Sequence, residues 1–472
     1  MENRAAHTLS ADREALLTCE TSQGLELRAS LVRLARHEAV FELYQAHAVR
    51  ASEVLNNCRI MLGDVPVFAG RAVVRSLINT GAVVVCQVEL GEGWLDFDLL
   101  SLSMAAQDLP ARYKEFLHHW QNSYRVIDEF KLWVADVQTF LMDLRLWCDQ
   151  IELGIRSTPA GDRIELEREV VRGLAPGLTS SLNSLFERFE VIAGKIEPPL
   201  EAAHHAYLKR HLHPLVLCSP FAYRTFHKPL GYAGDYEMVN MLLREPGEGG
   251  SVFAKLLNSW FIAQPPAEAH RNRIVYLTGK LQEETLRVRQ GNRSASIFNL
   301  GCGPAAEVQR FMEESTVADA AEFMLLDFND ETLQFATTAL NSVKQRHNRK
   351  TAVQLAKRSV MQILKTGGRS SNGNYDVLYC AGLFDYLPDR LCKELMNIFY
   401  EMLAPGGLLL ATNVDCSNPI RNMLDYLLEW HLIYRNGQQM RQFVPDRAEK
   451  DMVTLHADPT SVNIFLEVRK PT

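Results

Sequence analysis

The sequence predicts an α/β chain: a Rossmann-like, mostly parallel sheet of seven strands, preceded by a small all-β domain and a helical linker. Three observations predict it. From about residue 250, apolar strand-like runs alternate with helical segments; between about 25 and 105, apolar residues recur at every second position between turn signals; between these regions the period lengthens to three and four. The expected domains are 1–105, 106–250 and 251–472.

With 472 residues, 47% hydrophobic and 23% charged, the chain has material for two or three cores. A formal charge of −7 and a pI near 6.1 speak against a dominant nucleic-acid surface and favour a small-molecule or protein partner. The 9 cysteines include no C-x-x-C pair, so neither a metal site nor a disulfide framework is expected, and reduced thiols suit a cytoplasmic protein. The start, "MENRAAHTLSADREALL", lacks the apolar stretch of a signal peptide. No later run nears the roughly 20 apolar residues of a membrane span, so no stable membrane insertion is expected. A homodimer is compatible with all of this.

Each element follows in order. The first region reads "LELRASLVRL", "AVFELYQ", "CRIMLG" and "VFAGRAVVRSLINTGAVVVCQVEL", with turns at Gly63-Asp64, Asn79-Thr80-Gly81 and Gly91-Glu92-Gly93. That describes an antiparallel barrel or sandwich. Next, Phe116, Trp120, Ile127, Phe130, Val134, Val137, Leu141 and Leu144 mark one long amphipathic helix whose aromatic stripe reads as core. A second helical block, Ile164 to Lys195, is expected to break around Gly173 to Pro176. Candidate strands then fall at 296–300, 322–327, 351–356, 376–382, 407–414, 452–457 and 461–470. The last two, joined by a short turn, must form an antiparallel hairpin; "GGRSSNGN" (367–374) is a loop.

The first strand runs into "NLGCGPAAEV" (299–308). Glycines at a strand's carboxyl end let the main chain approach a ligand, and the following helix offers free N–H groups. Gly301 and Gly303 fit that role, and Asp327, ending the next strand, is placed to accept from a ribose diol. The glycine turn alone separates neither a dinucleotide nor S-adenosylmethionine.

The motifs together are more specific. "NLGCG", Asp327, the "L-x-P-G-G" turn at Leu403 to Gly407 and the closing strand pair resemble the class I S-adenosylmethionine-dependent methyltransferases over roughly 265–472. That resemblance implies the following cofactor roles. Asn299, Gly301, Cys302 and Gly303 face the methionine portion; Asp327 holds the ribose; Phe328 and Asn329 flank the adenine; Ser359 and Val360 border it; and Cys380, Ala381 and Gly382 line the sulfonium end. Asn299 departs from the acidic residue common there, which makes that contact neutral.

Two stretches can supply the acceptor side. In 221–242 the expected donors are Arg224, His227, Lys228 and Tyr232, and in 417–436 they are Arg421 and His431, with Tyr236 and Trp430 as further substrate-binding residues. Met423, Tyr426, Leu427, Trp430, Ile433 and Tyr434 keep helical spacing, which suits a structural helix as well as a pocket cover. Tyr232 and His431 are the expected catalytic pair. With a PilZ-like barrel, "KPLGYAGDYEMVNML", "AGLFDYL" and "LEWHLIYR", nearly the whole chain resembles the bacterial proteins that make 3-hydroxypalmitic acid methyl ester, a quorum-sensing signal. The resemblance implies methylation of a fatty-acid carboxylate, free or carrier-bound. A carboxylate is already a nucleophile at neutral pH, so orienting donors suffice. Cyclic di-GMP-binding PilZ domains carry an arginine-rich stretch and a D/N-x-S-x-x-G turn. Here only Arg50, Thr80 and Gly81 answer to them, so a degenerate, non-binding barrel is expected. The alternatives are a methyltransferase of another small metabolite and a nucleotide sensor with an inert methyltransferase fold.

Overall fold

The computed structural model of the protein describes residues 15–43, 49–62, 65–79, 84–91, 93–94, 114, 125–367 and 374–472. The turn signals at Gly63-Asp64 and Thr80-Gly81, and the helix positions Phe116 and Trp120, lie outside them. The chain forms two compact units. One contains Met1–Ala233, Pro246–Phe261 and Pro419–His431; the other contains Gly234–Glu245, Ile262–Asn418 and Leu432–Thr472.

In the first unit, β1 (Ala15–Glu20), β2 (Glu26–Ala35), β3 (Glu38–Leu43), β4 (Val54–Leu62), β5 (Val65–Asn79) and β6 (Val84–Leu90) close into an antiparallel barrel of order β1-β2-β3-β6-β5-β4. Alternation places Leu17, Phe41, Ile60, Phe68, Val74 and Val88 inside, and closure leaves no free sheet edge. The barrel begins at Ala15, earlier than the sequence pattern indicates, because β1 pairs with both β2 and β4.

Helix α1 (Asp128–Ser157) starts only at Asp128; Ile127 is extended, so the helix is shorter than its periodicity predicts. Helix α2 (Arg163–Ala193) corrects the expected break: it runs unbroken through Pro176. A helix-interior proline costs about 3 kcal/mol, and here packing outweighs it. Val171, Leu178, Leu182, Phe186 and Phe189 hold one buried face on both sides of the proline. Trp133 of α1 stacks on Phe189 and donates its indole N–H to the Leu185 carbonyl at 2.7 Å. Helices α3 (Pro198–Val216) and α4 (Pro220–His227) follow in this unit; α5 (Tyr236–Leu243) belongs to the other unit, and α6 (Val252–Ile262) returns to the first as far as Phe261.

The second unit is built on a sheet of order β12-β13-β11-β10-β7-β8-β9, comprising β7 (Ala295–Leu300), β8 (Ala321–Asp327), β9 (Ala352–Lys357), β10 (Tyr375–Cys380), β11 (Leu403–Val414), β12 (Val453–Ala457) and β13 (Asn463–Arg469). Strand β13 runs antiparallel to both β11 and β12, so the last strand inserts beside β11 and the penultimate one takes the edge. The order is the one that the resemblance of the sequence to class I methyltransferases implies. Helices α7 (Pro265–Arg289), α8 (Ala306–Glu314), α9 (Asp330–His347), α10 (Val360–Thr366) and α11 (Asp389–Met402) connect and cover the strands, leaving an apolar core on each face. Strand order reverses between β7 and β10, which share an edge. Ligands of such sheets gather outside the carboxyl ends at that point. Among the described residues no helix is long and apolar enough to cross a membrane, and no group of His, Cys, Asp and Glu could hold a metal.

Candidate functional site

At the carboxyl end of β7 the chain turns through Gly301 (φ +78°) and Gly303 (φ +52°). Both are left-handed, the region glycine enters without penalty. A β-carbon on Gly303 would meet nothing within 4 Å, so open space lies before the loop. Leu326 of the next strand fixes the loop: its carbonyl accepts from the N–H groups of Gly301 (2.8 Å) and Cys302 (3.0 Å). Asp327 is buried, with Oδ2 accepting from the Gly303 N–H at 3.2 Å and Oδ1 from the Asn329 N–H at 3.0 Å. One carboxylate thus joins the glycine loop to the entry of α9.

The other expected cofactor residues divide by what their side chains already do. Asn329 caps α9, its Oδ1 accepting from Thr332 N–H at 3.0 Å, and Ser359 caps α10 in a reciprocal pair with Gln362. Their backbones, with Phe328 and the buried Val360, remain at the ends of β8 and β9. Cys302 and Cys380 are buried, and burial pushes both thiols up, so neither serves as a nucleophile at neutral pH. Gly382, beyond Ala381, has φ +84° and donates its N–H to Thr412 Oγ1 at 3.0 Å.

Two buried polar atoms stand out. Asn299 donates Nδ2 to the Tyr379 carbonyl at 3.2 Å, but its Oδ1 has no hydrogen-bond partner among the described residues. Arg273, on α7, lies against Gly382, where a β-carbon would sit 2.8 Å from its Nη1; that Nη1 is likewise buried without a described partner. Burial lowers the guanidinium's pKa, while Asp385 and Glu307 counter it. Glu307, in the first turn of α8, accepts from the Tyr379 hydroxyl at 2.7 Å, and burial raises its carboxyl. Sequence reasoning missed Arg273. Its one signal is a cation three helical positions from Tyr276 on an otherwise solvated charged run, which periodicity cannot distinguish from surface.

The turn after β10, "AGLFDYL", is held by Arg435. This buried residue donates to the Phe384 and Leu387 carbonyls (2.7 and 2.6 Å), to Asn413 Oδ1 (2.6 Å) and to Asp389. Asp385 accepts from Val414 N–H at 2.7 Å, yet burial pushes its carboxyl up to about 6. Gly234 approaches the Tyr386 hydroxyl so closely that a β-carbon would lie 2.6 Å from it.

The expected acceptor-side residues separate. Tyr236 belongs to the sheet unit, donating to Glu331 Oε1 at 2.8 Å and stacking on Phe335. Arg224, His227, Lys228, Tyr232, Arg421, Trp430 and His431 belong to the barrel unit. Helix α12 (Arg421–Leu428) ends where Glu429 turns left-handed (φ +48°), so Trp430 to Tyr434 lie outside any helix, contrary to the spacing. His227 is exposed and stacks on Tyr223. Lys228 is buried, with Nζ 3.3 Å from the Leu428 carbonyl, and burial pushes its amine down to about 7.

His431 is buried with Nδ1 bonded to Asp425 and with Nε2 unpartnered among the described residues. It belongs to a polar cluster drawn from three segments. Lys209 of α3 donates to Glu89 of β6 and to Glu429, each at 2.6 Å, and His205 lies 3.3 Å from Glu89 and 3.6 Å from Asp425. Burial would raise Glu89; Lys209 and His205 instead hold it well below the carboxylate range, and His431 does the same for Asp425. A surface hollow of about 580 Å³ lies on the barrel beside Asn57 and Arg71, and one of about 400 Å³ lies beside α11 near Arg447.

No known protein family and no curated protein matches the chain by sequence. Solved structures resemble it at low identity. A possible exported protein from Bordetella parapertussis shares 17% identity over 64% of this chain and 97% of its own, with TM-score 0.41. Magnesium protoporphyrin IX methyltransferase from Synechocystis PCC 6803, with bound S-adenosylhomocysteine, shares 11% over 43% and 84%, TM-score 0.32. The N-methyltransferase NodS from Bradyrhizobium japonicum WM9, also with S-adenosylhomocysteine, shares 14% over 50% and 98%, TM-score 0.30. Likeness of this order decides neither cofactor nor substrate, and the fold rests on the strand order.

Proposed function

We propose that the chain is an S-adenosylmethionine-dependent methyltransferase whose acceptor is the carboxylate of a long-chain 3-hydroxy fatty acid, giving a methyl ester. The observation that carries the cofactor half is a pair of buried atoms without a described hydrogen-bond partner: an acceptor, Asn299 Oδ1 on β7, and a donor, Arg273 Nη1, which lies against Gly382 after the neighbouring β10. A buried polar atom left unpaired costs about 1–3 kcal/mol, and an α-amino acid head, with its ammonium and carboxylate, complements both. Gly301 and Gly303 leave room for it, and Asp327, already fixed by two N–H groups, is aimed for a diol. When bound, the cofactor supplies an electrophilic methyl carbon on sulfur.

The acceptor half rests on the resemblance of "KPLGYAGDYEMVNML" and "LEWHLIYR" and on chemistry. A carboxylate needs no proton removed, so the protein has only to orient it and exclude water. We assign that orientation to Tyr232 and His431. Asp425 on Nδ1 fixes the His431 ring and leaves Nε2 as its free polar atom.

Calorimetric titration with S-adenosylhomocysteine tests the first half; no heat at millimolar ligand would favour an inert fold used for sensing. Mass spectrometry of a lipid extract incubated with the protein and deuterated-methyl cofactor tests the second. A labelled fatty-acid methyl ester is expected, and a label on another metabolite would replace the substrate assignment.

A further inference from the structure

Helix α1 carries two apolar stripes, and the barrel unit uses one of them. Phe130, Val134, Val137, Leu141, Cys148 and Ile155 are buried in the unit's core. A second row lies outside: Leu132 is 67% exposed, Met142 50%, Leu146 62% and Leu153 65%. Leu132, Thr139, Leu146 and Leu153 are spaced by sevens, with Ala135, Met142 and Asp149 each three residues after one of them. These are the a and d positions of a heptad repeat, maintained over a 30-residue helix about 45 Å long. Single exposed leucines need no explanation; a seam of them at period 3.5 does.

We infer that this face is a parallel, two-fold coiled-coil interface with a second copy of the chain. The flanking charges identify the partner. At the e positions stand Glu129, Asp136, Asp143 and Gln150, an acidic edge; at the g positions stand Lys131, whose Nζ also lies 3.1 Å from Asp128 of the same helix, Gln138 and Arg145, a basic one. Glu152, at the next g position, is already engaged, accepting from the Val252 N–H at 2.6 Å. Parallel pairing of two copies sets the g edge of each against the e edge of the other, with Lys131 beside Asp136 and Gln138 beside Asp143, and no like charges meet across the flanks. Antiparallel pairing sets e against e and brings Asp136 to Asp143, which opposes it. Thr139 and Asp149 are the seam's polar layers, the kind that fix register at some cost in strength.

The test uses the full chain. Sedimentation equilibrium should give twice the 53.4 kDa of one chain. Leu132→Glu with Leu146→Glu should weaken the dimer by about tenfold or more while circular dichroism keeps the wild-type helix signal. Thr139→Cys, made with the exposed Cys218 and Cys416 changed to serine, places sulfurs at facing a positions, so mild oxidation should yield a reducible covalent dimer that the same chain with Thr139 does not form; this decides the case if the double variant fails to fold. A wild-type chain that stays monomeric at high micromolar concentration, a dimer that survives both glutamates, or a Thr139→Cys chain that does not cross-link would overturn the inference.

Discussion

Asp327 spends both carboxylate oxygens on backbone N–H groups, so its substitution loosens the glycine loop as well as removing the proposed ribose contact. Asp327→Ala should weaken S-adenosylhomocysteine binding by roughly 1–3 kcal/mol, the cost of an unmade charged hydrogen bond; calorimetry giving an unchanged affinity would refute the ribose assignment. Arg273→Met should cost a similar amount, about 1.5–3 kcal/mol, with Arg273→Lys recovering part, because the charge survives while the planar fork is lost. Equal affinity in all three proteins would remove Arg273 from the site. Asp385 gives a pH signature of its own. Burial holds its folded carboxyl at about 6, above its unfolded value near 4. The folded state therefore keeps a proton that the unfolded chain has lost, and stability falls as pH rises from about 4 to 6. Asp385→Asn, which keeps an oxygen for the Val414 N–H, should flatten that fall by on the order of 1–3 kcal/mol in denaturant midpoints taken across the window.

At the scale of elements, Pro176 offers a direct measurement. Its ring sits within an otherwise continuous α2, where proline costs about 3 kcal/mol relative to alanine. Pro176→Ala should therefore stabilise the chain by about 1–3 kcal/mol, read as a higher unfolding midpoint; no change would mean that the helix bends there without losing a bond. The strands were legible because each is a short apolar run bounded by turn residues, and β7 to β13 start and stop within a few residues of the expected places. The helices were less so. Periodicity cannot show that Ile127 is extended, that packing carries α2 across a proline, or that Glu429 turns left-handed and ends α12. In the site, the same contrast holds. Gly301, Gly303 and Asp327 announce themselves by chemistry and position. Arg273 does not, because its burial depends on Gly382, more than a hundred residues away.

At the scale of the whole molecule, the charge cluster of the barrel unit has an acid limit of its own. In the barrel unit the cluster of Glu89, Lys209, Glu429, His205, Asp425 and His431 joins a barrel strand, a helix and the 419–431 segment. Glu89, Asp425 and Glu429 are all held below their ordinary values, against the burial that would raise them. Their stability contribution is therefore complete above the unfolded carboxylate pKa near 4 and is lost as pH falls below it. Asp385 in the sheet unit and Glu53 and Glu190 in the barrel unit contribute the reverse, because burial raises them and protonation there favours the folded state. Acidification below about pH 4 should still loosen the cluster itself. Hydrogen exchange resolved by segment at pH 6, 4 and 3 would report it as protection in β6 and α3 that falls below pH 4. Lys209→Met should bring the loss to neutral pH, at about 3–5 kcal/mol, because it strands two buried carboxylates. If β6 and α3 kept their protection down to pH 3, the charge cluster would not be what sets the acid limit of these segments.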